Sequence, residues 1–470
     1  MGQPLGEQTV DETASKQAYE RWSDGADVLA GLRDLPGGRE LLDLASERDD
    51  VELVGGAVRD LLLGGGPREL DVVVGDEEAP FSSVASTFAR ELGARLNTLA
   101  GANEHERFGT ALVEWDGGRV DVAARRAESY PAPGALPDVR AGTPEEDLQR
   151  RDFTVNAIAV SLGGAGARRG VLRHVPGALE DLAAGRLRVL HEQSFSDDPT
   201  RLLRLARYAA RLGFEVEDRT AALAHAALAA RALDTVSGAR IGAELRLALS
   251  EPDALAALAA LGELGVLGAL HPRLRFEQPT AHEALALLPE DGRPDLALLA
   301  ALVLPLAFRA TDPRAEIVEL LDRWETPAGD RDRVVAASVA VPRLIEELPA
   351  AEHASALRAV ACGVPLEGVA LAGALDCSAA ADTIEGEGVA DSESGGRASG
   401  AEEPPARRAA RRWLTQTRHV RLEITGDDLL AAGIPAGPEI GRRLETVLDL
   451  RLDGELPSGR EAELKAALDA

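Results

Sequence analysis

Lysine and cysteine are almost missing from this 470-residue chain: Lys16 and Lys465 are its only lysines, Cys362 and Cys377 its only cysteines. Two cysteines with no pair at zinc spacing exclude a disulfide framework or a zinc ribbon, and they predict a reducing cytoplasm with no disulfide partner. Long hydrophobic runs are absent as well. The longest, Leu296 to Phe308, is 13 residues and contains Pro305, short of the ~20 that a bilayer span needs, so no membrane association is predicted. The acidic N-terminus lacks the basic, apolar, small-residue order of a signal peptide. No internal repeat of fixed period is found. With arginine supplying nearly all the positive charge, a GC-rich genome explains the missing lysine as well as selection for guanidinium chemistry does, and the bias assigns no function.

What is present points to a folded protein of several domains. Hydrophobic residues make up 45% and charged residues 28%, enough apolar material for real cores, and the length suggests about three domains at ~100 to 200 residues each. The 79 acidic residues outnumber the 51 basic ones, a net charge of −28, which at first argues against a nucleic-acid partner, because phosphates are neutralised by Lys and Arg. The charge is partitioned, however. Residues 1 to 150 carry 15 basic and 30 acidic groups, whereas residues 151 to 250 carry 14 and 11.

The first 35 residues are acidic and poor in large apolar side chains, which predicts a mobile leader. From Val51 the segments VELV, LDVVV, TALVEW, RVDVAA and FTVNAIAV read as strands of a mixed sheet with helices between them. After Leu187 the pattern is almost wholly helical, rich in Ala, Leu and Arg. Ser378 to Ala406 has the Gly, Ser, Glu and Pro composition of an unfolded acidic connector, and a C-terminal piece opens with the basic run Arg407 to Arg412. The fold class is therefore α+β, a mixed-sheet region followed by helices.

Four constellations carry possible chemistry. Gly55 and Gly56 end a strand and lead into a helix containing Arg59, a place where backbone N–H groups can approach an anion; glycine also occurs at such turns for steric reasons alone. Glu69 and Asp71 lie two apart at the start of LDVVV and so project from one face. They form an oxygen-only pair of the kind Mg²⁺ accepts, one or two carboxylates completed by substrate phosphates; Asp121 on RVDVAA is a third carboxylate near the same small sheet, and each acid taken singly also reads as a solvated strand-end group. Arg150, Arg151, Asp152 and Asn156 form the third group, suited to clamping phosphate or a ribose hydroxyl, or to a surface salt-bridge cluster. Asp197 and Asp198 precede Pro199 at a helix start, and Arg201, Arg204, Arg207 and Arg211 follow at spacings of three and four, a common stripe. Such stripes are most often solvated, and an acid before the first turn is often a cap.

Read in order, these motifs resemble the class II tRNA nucleotidyltransferases, the family of CCA-adding enzymes and bacterial poly(A) polymerases. The matching pieces are GGAVRDLLLG (Gly55 to Gly64), ELDVVV (Glu69 to Val74), RFGTA (Arg107 to Ala111), RVDVAARRAESY (Arg119 to Tyr130), DLQRRDFTVNAIA (Asp147 to Ala159), DDPTRLLRLARYAARLGF (Asp197 to Phe214) and ARIGAEL (Ala239 to Leu245). The resemblance implies a nucleotidyltransferase head of the DNA polymerase β type over 36–187, a helical neck over 188–270, a helical body over 271–377, and an RNA-binding helical tail over 407–470 beyond the connector 378–406. It implies template-independent addition of CCA, or part of it, to tRNA 3′ ends from CTP and ATP. Glu69 and Asp71 would hold Mg²⁺, and Asp121 would face the attacking 3′-hydroxyl. Gly55, Gly56 and Arg59 would bind the triphosphate, Arg151, Asp152 and Asn156 the ribose, Asp198 and Arg201 the base, and Arg204 and Arg207 would complete the pocket.

An acceptor such as Asp198 beside a donor such as Arg201 matches the Watson–Crick edges of both cytosine and adenine, and leaves buried groups unpaired against guanine or uracil. Three departures from the family pattern stand out: Glu69 where Asp is usual, Asp197 where Glu is usual, and Ala239 where an acid precedes Arg240. No His-Asp dipeptide occurs among the eight histidines, so no attached metal phosphohydrolase is expected. A poly(A) polymerase, a CC- or A-adding specialist, a catalytically silent RNA-binding protein and a helical scaffold remain as alternatives.

Overall fold

The structure, a computed structural model, describes residues 25–75, 80–98, 109–164, 169–375 and 403–470. They fall into two compact units that divide between Val236 and Ser237.

The first unit is built on a six-stranded mixed sheet. In chain order its elements are α1 (Ala26–Asp34), α2 (Gly38–Ser46), β1 (Val51–Val54), α3 (Gly56–Leu62), β2 (Leu70–Val74), α4 (Phe81–Arg95), β3 (Thr110–Trp115), β4 (Gly118–Ala124), β5 (Arg126–Ser129), β6 (Asp138–Ala141), α5 (Pro144–Gln149), β7 (Ile158–Ser161), β8 (Leu172–His174), α6 (Ala178–Ala183), β9 (Arg186–Leu187), α7 (Ser194–Asp197), α8 (Thr200–Leu212), β10 (Glu215–Val216) and α9 (Asp218–Ala229). The sheet order is β3-β4-β2-β1-β7-β8. Only β2 and β4 pair in parallel; every other neighbour is antiparallel. A parallel pair needs a long crossover, and the chain between β2 and β4 supplies one through α4, whose Phe88 and Leu92 are fully buried.

Three expectations change. A helix, α1, stands inside the expected leader: Val28 and Leu32, one turn apart, are both fully buried, so a short apolar stripe docks despite the acidic composition around it. Residues 1–24 lie outside the described residues. FTVNAIAV is not one strand; Thr154–Asn156 form a 3₁₀ turn before β7 begins. Nor does the fold break at residue 187, because β9 pairs with β10 and Phe153 bridges to Val189 across that point.

The second unit is helical. The helix Pro294–Arg309 is buried at every position from Leu296 to Ala307, which explains why its sequence is apolar all round. Glu367, wholly buried at the start of the helix Leu366–Ala374, accepts two bonds of 2.9 Å from the Arg333 guanidinium and one of 2.9 Å from the Arg293 backbone N–H. The basic run is partly neutralised at home: Arg407 pairs with Glu283 and Arg411 with Glu403, both at 2.6 Å. Its helix starts at Pro405, inside the expected connector, in the manner usual for proline at a first turn; 378–402 lie outside the described residues. Ile424, Leu429, Val447 and Ala467 form a small core in the C-terminal piece. Cys362 is free and exposed, Cys377 lies outside the described residues, and no single described helix is long and apolar enough to cross a membrane.

Replacing Glu367 leaves three buried or half-buried donors without an acceptor. Glu367→Ala is expected to lower stability by about 3 kcal/mol in urea denaturation, whereas Arg442→Ala, at an exposed helical pair, is expected to change it by less than about 0.5 kcal/mol.

Candidate active site

Two parallel strands carry the acids. Asp71 on β2 lies directly opposite Asp121 on β4, so the two carboxylates belong to one face of the sheet, while Glu69 lies just before β2 begins. Leu70, Val72 and Val74 occupy the other face and are at most 5% exposed. Arg119, two residues before Asp121, donates to it from Nε at 2.9 Å and Nη2 at 3.2 Å, and its Nε lies 3.8 Å from Glu69. Asp121 and Glu69 therefore share a counter-charge. Asp71 is half-buried and has no arginine in hydrogen-bond contact among the described residues. Burial lifts its carboxyl to about 6; Arg151 pulls it down, Glu69 and Asp121 push it up, and Arg204 pulls it down from further away.

The glycine turn faces this group. Gly55 has φ +69°, and a Cβ there would lie 2.8 Å from Nη1 of Arg151; both the backbone and the close approach require glycine. Arg151 is held in place by Asp147, whose Oδ2 accepts its Nη2 at 2.9 Å.

The Asp152 side chain is buried and fully engaged. Its Oδ1 accepts the Phe153 N–H at 2.8 Å and Asn156 Nδ2 at 2.9 Å, and its Oδ2 accepts Arg204 Nε at 2.8 Å. Burial opposes its charge, but Arg204, Asn156 and Arg201 outweigh burial and hold the carboxyl well below the usual range. Asp198 caps the start of α8, with Oδ1 accepting Thr200 N–H at 3.1 Å and Oγ1 at 2.6 Å. Arg201, 4% exposed, donates to Ser194 Oγ at 2.6 Å and to the Arg150 carbonyl at 2.8 Å.

The arginine stripe of α8 is thus an interior feature rather than a solvated face. Its members do not all reach the same place. Gly55, Gly56, Arg151, Asp152, Asn156, Asp198, Arg201 and Arg204 line one cavity of about 360 Å³. Asp121, Arg119, Thr110 and Leu112 line a second, of about 620 Å³. Asp71, Arg126, Arg150 and Arg151 line both.

Arg59 and Arg207, expected in the pocket, line neither. Arg59 is 1% exposed and donates to Asp60 at 2.7 and 2.8 Å and to Asn156 Oδ1, and both guanidiniums lie over the Tyr208 ring, at 5.4 and 4.8 Å from its centre. They form a layer behind the wall, where an aromatic face and an acid can hold buried guanidiniums. Glu69, half exposed, also lines neither cavity. Arg119, Arg126, Glu128, Asp147 and Tyr208 were not singled out from the sequence. The i,i+3 and i,i+4 spacing of Asp147 to Arg150 and Arg151 was the one available signal for any of them. A larger cavity, about 820 Å³, lies in the second unit; its carboxylates are Asp291, bound by Arg418, and exposed Glu445, so it offers no comparable acid pair.

Residues 51–188 match the family described as Poly A polymerase head domain. An A-adding tRNA nucleotidyltransferase of Geobacter sulfurreducens is 33% identical over 443 residues, which cover 91% of this chain and 46% of that protein. A CC-adding tRNA nucleotidyltransferase of Deinococcus radiodurans is 39% identical over 239 residues, 49% of this chain and 58% of the other. The chain spans about half the length of these curated relatives. The Thermotoga maritima CCA-adding enzyme complexed with tRNA superposes with a TM-score of 0.69 at 26% identity, covering 95% of this chain and 98% of that one.

The raised Asp71 carboxyl carries a stability consequence. A folded-state value above the ordinary one favours the protonated form, so stability is full below about pH 4 and is lost as pH rises through 6. In chelator at pH 8, Asp71→Asn is expected to be more stable than the unsubstituted protein by about 2 kcal/mol, allowing for partial exposure, with the difference vanishing near pH 4 in melting curves.

Proposed function

We propose a function from the premise that the chain belongs to the class II tRNA nucleotidyltransferase family: it adds CCA, or part of it, to tRNA 3′ ends from CTP and ATP, with no nucleic-acid template, in the cytoplasm. The observation that carries this reading is that Asp71 and Arg151 border two cavities at once. A transfer reaction needs such a junction, with one chamber for the incoming nucleotide and one for the acceptor end.

In this reading the 360 Å³ cavity takes the nucleotide. The Gly55-Gly56 turn and Arg151 meet its triphosphate, Asp152, Asn156 and Arg204 hold the ribose, and Asp198 with Arg201 reads the base. Arg59 and Arg207 act from behind, fixing Asn156 and the stack on Tyr208. The 620 Å³ cavity takes the RNA 3′ end, with Asp121 beside the 3′-hydroxyl. The 3′ oxygen bonds to the α-phosphorus, the bond to the β-phosphate oxygen breaks, and pyrophosphate leaves; holding both partners in line removes much of the entropic barrier.

The donor set fits a hard divalent cation. Asp71 and Asp121 are register-paired and offer only oxygen, and burial, with Glu69 and Asp121 adding to it, lifts Asp71, while no three acidic, histidine or cysteine side chains among the described residues close around one point. Such a set leaves positions for substrate phosphate, as Mg²⁺ prefers. Asp71 and Asp121, with Glu69 at the mouth, would hold the ion, which when bound supplies charge neutralisation at the reacting phosphate.

Base choice follows from Arg201. Its two protein bonds fix the guanidinium and leave other N–H donors for a nucleobase, so an acceptor on the base is favoured and a donor there is left unpaired. Against a poly(A) polymerase, residues 401–470 carry 11 basic and 13 acidic groups, whereas binding to generic RNA depends on cationic contacts. The A-adding and CC-adding relatives favour a partial adder as the second reading.

Labelled CTP and ATP offered with Mg²⁺ to tRNA primers ending in the discriminator base, in C and in CC test the reading. Extension of all three to CCA is expected of a complete enzyme. Addition to the first two alone, or to the last alone, identifies a CC- or A-adding specialist, long adenosine tails identify a poly(A) polymerase, and no incorporation defeats the proposal. Asp71→Ala is expected to lower kcat at least about 10³-fold with the fold retained, and Arg201→Ala to relax discrimination against UTP and GTP at least about 10-fold, both measured by single-primer extension.

A further inference from the structure

The arginines that line the junction of the two cavities share an anchor that itself lines neither. Asp147, 3% exposed on α5, accepts Arg150 at Oδ1 from Nε at 3.0 Å and Nη2 at 2.9 Å, accepts Arg151 at Oδ2 at 2.9 Å, and accepts the Arg126 backbone N–H at 3.4 Å. Glu128 on β5 holds the far side of the group: its Oε1 accepts Arg126 Nε at 2.9 Å and Arg150 Nη1 at 3.0 Å, and its Oε2 accepts the Tyr130 hydroxyl at 3.2 Å. The carbonyl of Arg150, in turn, accepts Arg201 Nη2. One carboxylate therefore lies upstream of a guanidinium beside Asp71 and of a backbone contact to the arginine that borders the base.

We propose that Asp147 is a positioning residue of the nucleotide site: with Glu128 it locks Arg150 and Arg151 in one arrangement, so that phosphate contact through Arg151 and base choice through Arg201 are set by the same buried anchor.

The physical case has three parts. First, α5 is only six residues long, too short to be stable alone. It is fixed at its start by a reciprocal Thr143 and Glu146 cap, with Thr143 Oγ1 accepting Glu146 N–H at 3.2 Å and Glu146 Oε2 accepting Thr143 N–H at 2.9 Å. Asp147 therefore projects from a fixed base toward positions i+3 and i+4. Secondly, arginine side chains lose much rotamer freedom when ordered, and an anchored guanidinium has lost it before a ligand arrives. Thirdly, three guanidiniums this close repel one another; burial and Arg150 together lower the affinity of Arg126 for its proton, and Glu128 opposes them. Without the two acids the wall would splay. Asp147 is itself held down to about 2: burial works against its charge, but Arg150 and Arg151 outweigh burial, so its charge is present throughout the neutral range.

The inference rests on the reading of the smaller cavity as the nucleotide site, and the test separates the two. Equilibrium binding of CTP, ATP and UTP with Mg²⁺ is measured by calorimetry on the full chain without primer, alongside KM and kcat for primer extension. An unsubstituted protein that binds neither CTP nor ATP overturns both the site reading and the inference that rests on it. Given binding, Asp147→Asn is expected to raise the KM for CTP and ATP about 10-fold with a smaller change in kcat, and to reduce the preference for CTP over UTP. Asp147→Glu is expected to recover part of both.

Because Asp147 acts through Arg150, its effect on preference is expected to shrink in an Arg150→Ala background. Unchanged affinity and preference in folded Asp147→Asn, or an equal effect with and without Arg150, overturns the proposal and leaves Asp147 a structural acid. Should Asp147→Asn not fold, Glu128→Gln removes one of the two acids from Arg150 and is expected to weaken preference by a smaller factor; no change there overturns the proposal as well.

Discussion

The first unit depends on one constraint: a pocket suited to polyphosphate gathers arginines, and a buried guanidinium is unstable without an acid of its own. Most arginines of the site obey it, whereas Arg201 is held by Ser194 Oγ and the Arg150 carbonyl. Arg150 and Arg151 have Asp147, Arg126 has Glu128, Arg204 has Asp152, Arg59 and Arg211 have Asp60, and Arg119 has Asp121. The acids come from β4, β5, α3, α5 and the turn after α5, so satisfying the arginines also joins these elements around the sheet. Asp71 is the exception. It stands near arginines without a hydrogen bond to any of them among the described residues, and burial lifts its carboxyl.

This constraint also resolves the apparent conflict between a net charge of −28 and the proposed nucleic-acid substrate. Whole-chain charge measures what the surface presents on average, whereas a transfer site needs local potential at a junction. An acidic chain can build that junction because the acids nearest the arginines sit behind or beside them, at Asp147, Glu128 and Asp60, while the guanidiniums of Arg150 and Arg151 border the cavities. Distant acidic surface is screened within about 10 Å at ordinary salt.

How much of this was legible in the sequence follows from the kind of interaction involved. Strand alternation predicted a shared face for Glu69 and Asp71, since period two is a local property; the register that sets Asp71 opposite Asp121 is a pairing between strands, and the sequence offered no signal for it. The α8 stripe was visible from its spacing, but its burial was not, because exposure depends on what packs against a helix. Arg59 and Arg207 carry family motifs yet lie behind the wall beside the ring of Tyr208, which for Arg59 is a contact between separate elements that its own segment does not reveal. Thr154–Asn156 departed from the expected strand because Asn156 bonds both Asp152 and Arg59, which a 3₁₀ turn permits and an extended strand does not. The helix α1 was missed because two buried residues suffice to dock nine, and average composition does not register two residues.

Glu69 shows how one methylene interacts with this architecture. A longer acid at the mouth reaches toward Arg119 rather than directly over the strand, and Arg119 already serves Asp121. Glu69 and Asp121 thereby compete for one guanidinium. A cation bound between Asp71 and Asp121 would offset the burial that lifts Asp71 and compete with Arg119 for Asp121. The same logic runs through the smaller cavity, where Asp152 ties Arg204 and Asn156 together, so any contact made at Asp152 would act on both neighbours. Much of the site is a set of shared partners rather than of independent contacts, so a substitution at Asp147, Glu128 or Asp60 is felt by two arginines, and one at Asp152 by an arginine and an amide.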